Sequence, residues 1–165
     1  NREIIESLSS FKKVFLSISV DSIGKNYDFI RWPHKWNKID ENLRFLKSNI
    51  PNNTDIRVYV LVNVLNVEFL PYIEKYFENL EIHVSYSLDI KPAIHPLNFK
   101  NCPSHILEIT KTKLKNNRLK RSLVNKYHKT TPKEEIKRQL EIFCLQRKME
   151  AKNVLGPLTY SWLYE

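Results

Sequence analysis

Ser19 and Asp21 stand at the end of an apolar run, Val14 to Val20, and Ser22 and Gly24 follow closely. A hydroxyl and a carboxylate gathered at the carboxyl end of a strand can hold ribose hydroxyls or an ammonium group. The same residues can instead form an Asp/Ser turn that caps the next segment. Several other chemistries are excluded. The 165 residues contain no serine elbow, no HExxH pair and no Walker-type loop. Two glycines, Gly24 and Gly156, are too few for a glycine-rich phosphate cradle. Cys102 and Cys144 lie far apart, share no metal-ligand spacing and read as unpaired thiols in a reducing cytoplasm.

The formal charge of +9 is concentrated in one region. From Thr110 to Lys152, 14 lysines and arginines face four glutamates, whereas the rest of the chain carries 13 basic and 14 acidic residues. Lys111, Lys113, Lys115, Arg118, Lys120 and Arg121 can bind phosphates without sequence specificity. No aromatic residues are interleaved there to stack on single strands. A solvated helix face accounts for the same charges. The length and the 42% hydrophobic content suit one globular core. No apolar run is long enough to cross a bilayer, so no membrane partner is expected.

The elements that must carry these residues alternate. A strand over Val14–Val20 precedes an amphipathic helix from about His34 to Asn49, with Trp36, Ile39, Leu43 and Leu46 on one face. A second strand spans Ile56–Leu65. Asn66 is placed to cap the next helix, which has Pro71 in its first turn. Glu81–Leu88 is the third strand. This alternation predicts parallel pairing through right-handed crossovers. Apolar or small residues at both parities predict strands covered on both faces. Asp89–Pro103, with three prolines, reads as a loop, and helical patterning resumes at Ser104 in two pieces to His128. Thr131 (N-cap), Pro132 (first position) and Glu134 predict a further helix with Ile136, Leu140, Phe143 and Arg147 on one stripe. It ends before Gly156–Pro157, and an aromatic tail follows.

Phe11-Lys12-Lys13-Val14, Ser17-Ile18-Ser19-Val20-Asp21, Gly24, and Tyr27 to Pro33 with Trp36 together resemble a radical S-adenosylmethionine (radical SAM) enzyme. The branch is that of bacterial and phage proteins with a shortened auxiliary region, the twitch-domain proteins. Val62 to Asn66 with Leu70-Pro71 resembles its next strand and helix start. Pro92 to Pro103 resembles the loop after its sixth strand, and Arg147 to Tyr160 its closing segment. Two features depart from the pattern. The three-cysteine motif C-x3-C-x2-C that ligates a 4Fe–4S cluster is absent, and Ser22 replaces a glycine.

The resemblance implies the carboxyl half of such an enzyme: an α/β, three-stranded parallel half of a partial (β/α)6 TIM-like barrel over residues 1–103. A basic helical extension over 104–165 packs on it. It implies that Ser19 and Asp21 contact the ribose or amino-acid portion of SAM and that Arg31 takes its carboxylate. Asn63 and Asn66 fall near the adenine and methionine contacts. For Arg31 the alternative is a surface arginine stacked on Trp32 or Trp36; for Asn66 it is the helix cap. His83 and His95 are weaker substrate contacts. SAM binding by this chain alone is expected to be weak or absent, and the cluster belongs only to the full-length parent. The open edges of a half-barrel predict self-association. The basic flank fits a peptide or nucleic-acid substrate. The competing function is a stand-alone, non-catalytic basic module binding nucleic acid or a protein.

Overall fold

The fold is given by a computed structural model that describes residues 2–88, 95–123 and 131–165. Helix α1 (Arg2–Leu8) leads into strand β1 (Val14–Ser19). The chain continues through α2 (Gly24–Ile30), α3 (Trp36–Asn49), β2 (Thr54–Leu61), α4 (Leu70–Asn79) and β3 (His83–Ser87). The strands are all parallel, in the order β1-β2-β3, with Leu16 beside Ile56 and Val58 beside Val84. The α/β class and the parallel pairing are therefore as the alternation of patterns predicts.

Helices α3 and α4 lie side by side on one face of this sheet. The Trp36 ring sits 5.0 Å from the Tyr76 ring, and the Tyr76 hydroxyl bonds the Asp40 carboxylate. Beneath them Ile56, Val58 and Val60 are buried, and Leu43, Ile73 and Phe77 close the core from the helix side. Burying each such side chain contributes about 1.5–3 kcal/mol.

The opposite face departs from the both-sides-covered expectation. Phe15, Ser17 and Ser19 of β1, Arg57 and Tyr59 of β2, and His83 and Ser87 of β3 are exposed. Register brings Ser17, Arg57 and His83 into one row and Ser19, Tyr59 and Ser85 into the next. The serines are small enough to pass for buried residues, but Arg57 beside Ser17 could not be buried without a charged partner.

Strand ends also differ. β2 stops at Leu61 rather than Leu65, because the Asn63 carboxamide oxygen accepts the Leu65 N–H (2.9 Å) and bends the chain into an Asx turn. Glu81, in the left-handed region at φ 51°, precedes β3 and delays its start to His83.

Helices α5 (Ser104–Lys113) and α6 (Asn117–Ser122) follow. Ile106, Leu107, Leu119 and Leu123 join the core of the sheet. Residues 89–94 of the expected loop, and the end of the expected helical stretch at His128, lie outside the described residues. Helix α7 (Lys133–Arg147) starts one residue later than its signal implies. Pro132 holds the cap position, and no side chain caps it. The helix stops at Lys148, in the left-handed conformation (φ 53°), so the single long helix expected up to Gly156 is broken. α8 (Ala151–Val154) and α9 (Pro157–Tyr164) complete the chain, the aromatic tail being helical. A second core joins Ile136, Leu140, Val154 and Leu163 of these helices to Phe29, Val64 and Leu65.

Candidate functional site

Four of the five site residues proposed from sequence meet at the carboxyl ends of β1 and β2. Asp21 is buried just past β1. Its Oδ1 accepts the Leu61 N–H (2.9 Å), and its Oδ2 lies 2.7 Å from Arg31 Nε. That Nε–H makes no directed hydrogen bond, so the Arg31 contact is a charge contact. Asn66, fully buried, donates through Nδ2 to the carbonyls of Asp21 (2.6 Å) and Leu61 (2.8 Å). Its Oδ1 accepts the Asn63 N–H (2.8 Å). Asn63 Nδ2 adds a bond to the Leu61 carbonyl (3.0 Å). These side chains fasten the ends of β1 and β2 to each other and to the turn that follows.

Local sequence explains the arrangement. Gly24 adopts φ +58°, a left-handed conformation that L side chains resist, and α2 starts there. Nothing lies within 4 Å of where its Cβ would be, so the backbone and not the space requires glycine. Asn26 on α2 donates to the carbonyls of Leu65 (3.0 Å) and Val154 (2.6 Å), tying the turn to the second core. Arg31 then emerges at the end of α2, half-exposed, next to Asp21. Asn66 sits at the start of a short 3-10 turn (Val67–Phe69), but its side chain caps nothing and bonds back to β1. Trp36 packs on Tyr27 and Tyr76. Burial pushes the Tyr27 phenol up, against the opposing effect of Arg31.

Ser19 stands apart from that network, exposed on the open face beside Tyr59. His83 is exposed two rows away from Ser87 on the same face. His95 serves its own turn: Nδ1 accepts the Leu97 N–H (3.1 Å), and its carbonyl accepts from Asn98 and Asn101. Sequence reasoning overlooked Tyr59, Ser85 and Arg57, which share the open face with Ser19. Their signal was parity, since each lies an even number of register steps from Ser19.

As a ligand surface the site divides. The carboxylate of Asp21 and the carboxamides of Asn63 and Asn66 are engaged internally and set the backbone. The Ser19 hydroxyl and the half-exposed Arg31 guanidinium remain accessible. A 4Fe–4S cluster does not fit. Burial pushes the Cys102 thiol far up, keeping it neutral, and pushes Cys144 up as well, whereas cluster ligands are thiolates. Among the described residues no group of three His, Cys, Asp or Glu could hold a metal ion.

The basic segment does not form one continuous face. Lys111 pairs with Glu108 (2.6 Å) and Lys115 with Glu78 of α4 (2.7 Å), while Arg118 lines a cleft against β3. Among the described residues no helix is long and apolar enough to cross a membrane. The chain matches no family model, no curated protein and no solved structure.

Proposed function

We propose that this chain is the carboxyl-terminal portion of a radical SAM enzyme, supplying SAM- and substrate-binding surface to a partial TIM-like barrel whose cluster is ligated elsewhere. The observation that carries the reading is the one-sided sheet. Three parallel strands in sequential order have both crossover helices on one face, and the polar open face leads to Arg31 at the strands' carboxyl ends. Ser19 and Arg31 would touch SAM. Asp21 would orient Arg31 through their 2.7 Å contact, and Asn63 and Asn66 would hold the strand ends in place. When bound, SAM supplies the reactive group; this chain binds, orients and excludes water.

The β1 edge is where the remaining barrel would join. The Val14 and Val20 N–H groups point to β2, so alternation turns the backbone groups of Phe15, Ser17 and Ser19 outward. Without that partner the edge favours self-association into a dimer, read by sedimentation velocity.

The test is amide hydrogen exchange of the full chain with about millimolar SAM, a concentration suited to weak binding. Protection confined to Ser19–Arg31 that is lost in Arg31→Gln supports the reading. No protection, together with an upstream reading frame lacking C-x3-C-x2-C, would overturn it. The competing reading, a basic nucleic-acid module, is disfavoured because Glu108 and Glu78 already engage two of its six cations.

A further inference from the structure

The cleft between β3 and α6 holds about 540 Å3 and is walled by residues 83–88 on one side and by Asn116, Arg118, Leu119 and Ser122 on the other. Its volume falls in the range of small-ligand sites. Two properties set it apart from the network at the ends of β1 and β2. Among the described residues no carboxylate lines it. Its cation, Arg118, makes no ion pair among the described residues.

The polar groups come from three sources. The Ser87 carbonyl accepts the Val62 N–H (2.8 Å) and so points to β2. Alternation then turns the backbone groups of Val84 and Tyr86 to the free edge, where they have no backbone partner among the described residues. The Tyr86 hydroxyl is buried and unpaired. Arg118, Tyr59, His83, Ser85 and Ser87 add a guanidinium, a phenol, an imidazole and two hydroxyls, none in a side-chain pair among the described residues. Ser122 and Asn116 are spent on α6 itself: the Ser122 hydroxyl donates to the Arg118 carbonyl, and the Asn116 side chain accepts the Leu119 N–H. Glu74, whose charge acts on Tyr86, accepts the N–H groups of Lys115 and Asn116. A guanidinium with no ion-pair partner among the described residues, beside edge N–H groups and hydroxyls that can donate, favours an anion. Tyr59, with 40% of its surface exposed, adds a flat ring at the mouth.

We propose that the β3–α6 cleft is a binding site for a small phosphate ester of the nucleotide class, its phosphate held by Arg118 and the β3 edge and its ring or sugar by Tyr59, Ser85 and Ser87. The proposal does not rest on the SAM reading: Tyr59 is the cross-strand neighbour of Ser19, but the amides to be followed, Val84–Leu88 and Arg118, are not those of Ser19–Arg31.

The test titrates AMP, and separately inorganic phosphate, into the isotope-labelled full chain and follows backbone amide shifts. Saturable shifts at Val84–Leu88 and Arg118, weakened about tenfold or more in Arg118→Gln, are expected from the loss of one charge-assisted contact. Ser87→Leu, which fills the mouth without removing a cation, should abolish AMP binding and spare the fold. Unsaturable shifts spread along Lys111–Arg121 would overturn the proposal in favour of diffuse screening. So would tighter binding of an oligonucleotide that Arg118→Gln leaves unchanged. Silence at about 10 mM AMP, or a dimer that pairs two β3 edges, would overturn it too.

Discussion

Two polar clusters flank the same sheet, and they are built on opposite plans. At the ends of β1 and β2, Asp21, Asn63 and Asn66 pair donor with acceptor, and their side chains are buried. In the β3–α6 cleft Arg118, the Tyr86 hydroxyl and the edge backbone groups of Val84 and Tyr86 have no partner among the described residues. A balanced, buried cluster stabilises the fold, and removing one member strands the rest. An unbalanced cluster contributes little to folding and keeps its hydrogen-bonding capacity for something else. The residues most conspicuous as a motif are thus mainly structural, and the less conspicuous ones are available.

The largest effect expected from this contrast is at Asn66. Asn66→Leu leaves the Asp21 carbonyl and the buried Asn63 N–H without this partner and the Leu61 carbonyl with one side-chain donor fewer. We expect a loss of about 3 kcal/mol or more, read from urea unfolding. A loss below about 1 kcal/mol would mean that the network is not the fastening it resembles.

Next in size is Gly156. A Cβ there would lie 2.5 Å from the Glu68 carboxyl, whose oxygens accept the N–H groups of Leu158 (3.1 Å) and Thr159 (2.5 Å) at the start of α9. Gly156→Ala should displace that carboxylate and cost about 1–2 kcal/mol, as loss of a helix cap does. Glu68→Ala should cost a similar amount, and the double variant much less than the sum, because both remove the same contact.

How much of this was legible in sequence follows from the same chemistry. Strand–helix alternation announced the parallel sheet, because apolar periodicity is set by burial and β2 and α4 bury the faces it marks. That Asp21, Asn63 and Asn66 stand at or near strand ends was legible from the apolar runs beside them. Their roles were not: whether Asn66 caps a helix or reaches 45 residues back to the Asp21 carbonyl depends on tertiary placement. Ser17 and Ser19 misled because serine is compatible with either face. Only their register partners, Arg57 and Tyr59, decide that the face is open. The cleft was illegible for a related reason: its donors come from β3 and α6, elements that touch only in space.

Smaller effects probe the unbalanced side. Burial, helped by the charge of Glu74, raises the Tyr86 phenol above its ordinary value of 10.0. The folded chain therefore keeps a proton that the unfolded chain releases, and stability should be unaffected below that value and fall as pH climbs past it. Tyr86→Phe should remove this part of the alkaline slope, measured as the urea midpoint near neutrality and at about pH 11. At neutral pH it should be neutral or stabilising by up to about 1 kcal/mol, since the hydroxyl it deletes has no acceptor. A loss of more than that would show that the phenol has a partner and that the cleft is balanced after all.

The smallest effect belongs to the open face. Ser19→Ala and Tyr59→Phe remove exposed hydroxyls in one cross-strand row, and each should change stability by no more than about 0.5 kcal/mol. Stability alone would not distinguish a functional surface from an idle one. The pair becomes informative when the two ligands are compared. Ser19→Ala should weaken SAM protection of Ser19–Arg31 and leave AMP shifts at Val84–Leu88 intact, whereas Tyr59→Phe should leave SAM protection intact. Replacing Tyr59 by Leu, which removes the ring as well, should weaken AMP binding because the ring supplies the flat contact. If one variant weakened both ligands equally, the open face and the cleft would be a single site, and the division between them would fall.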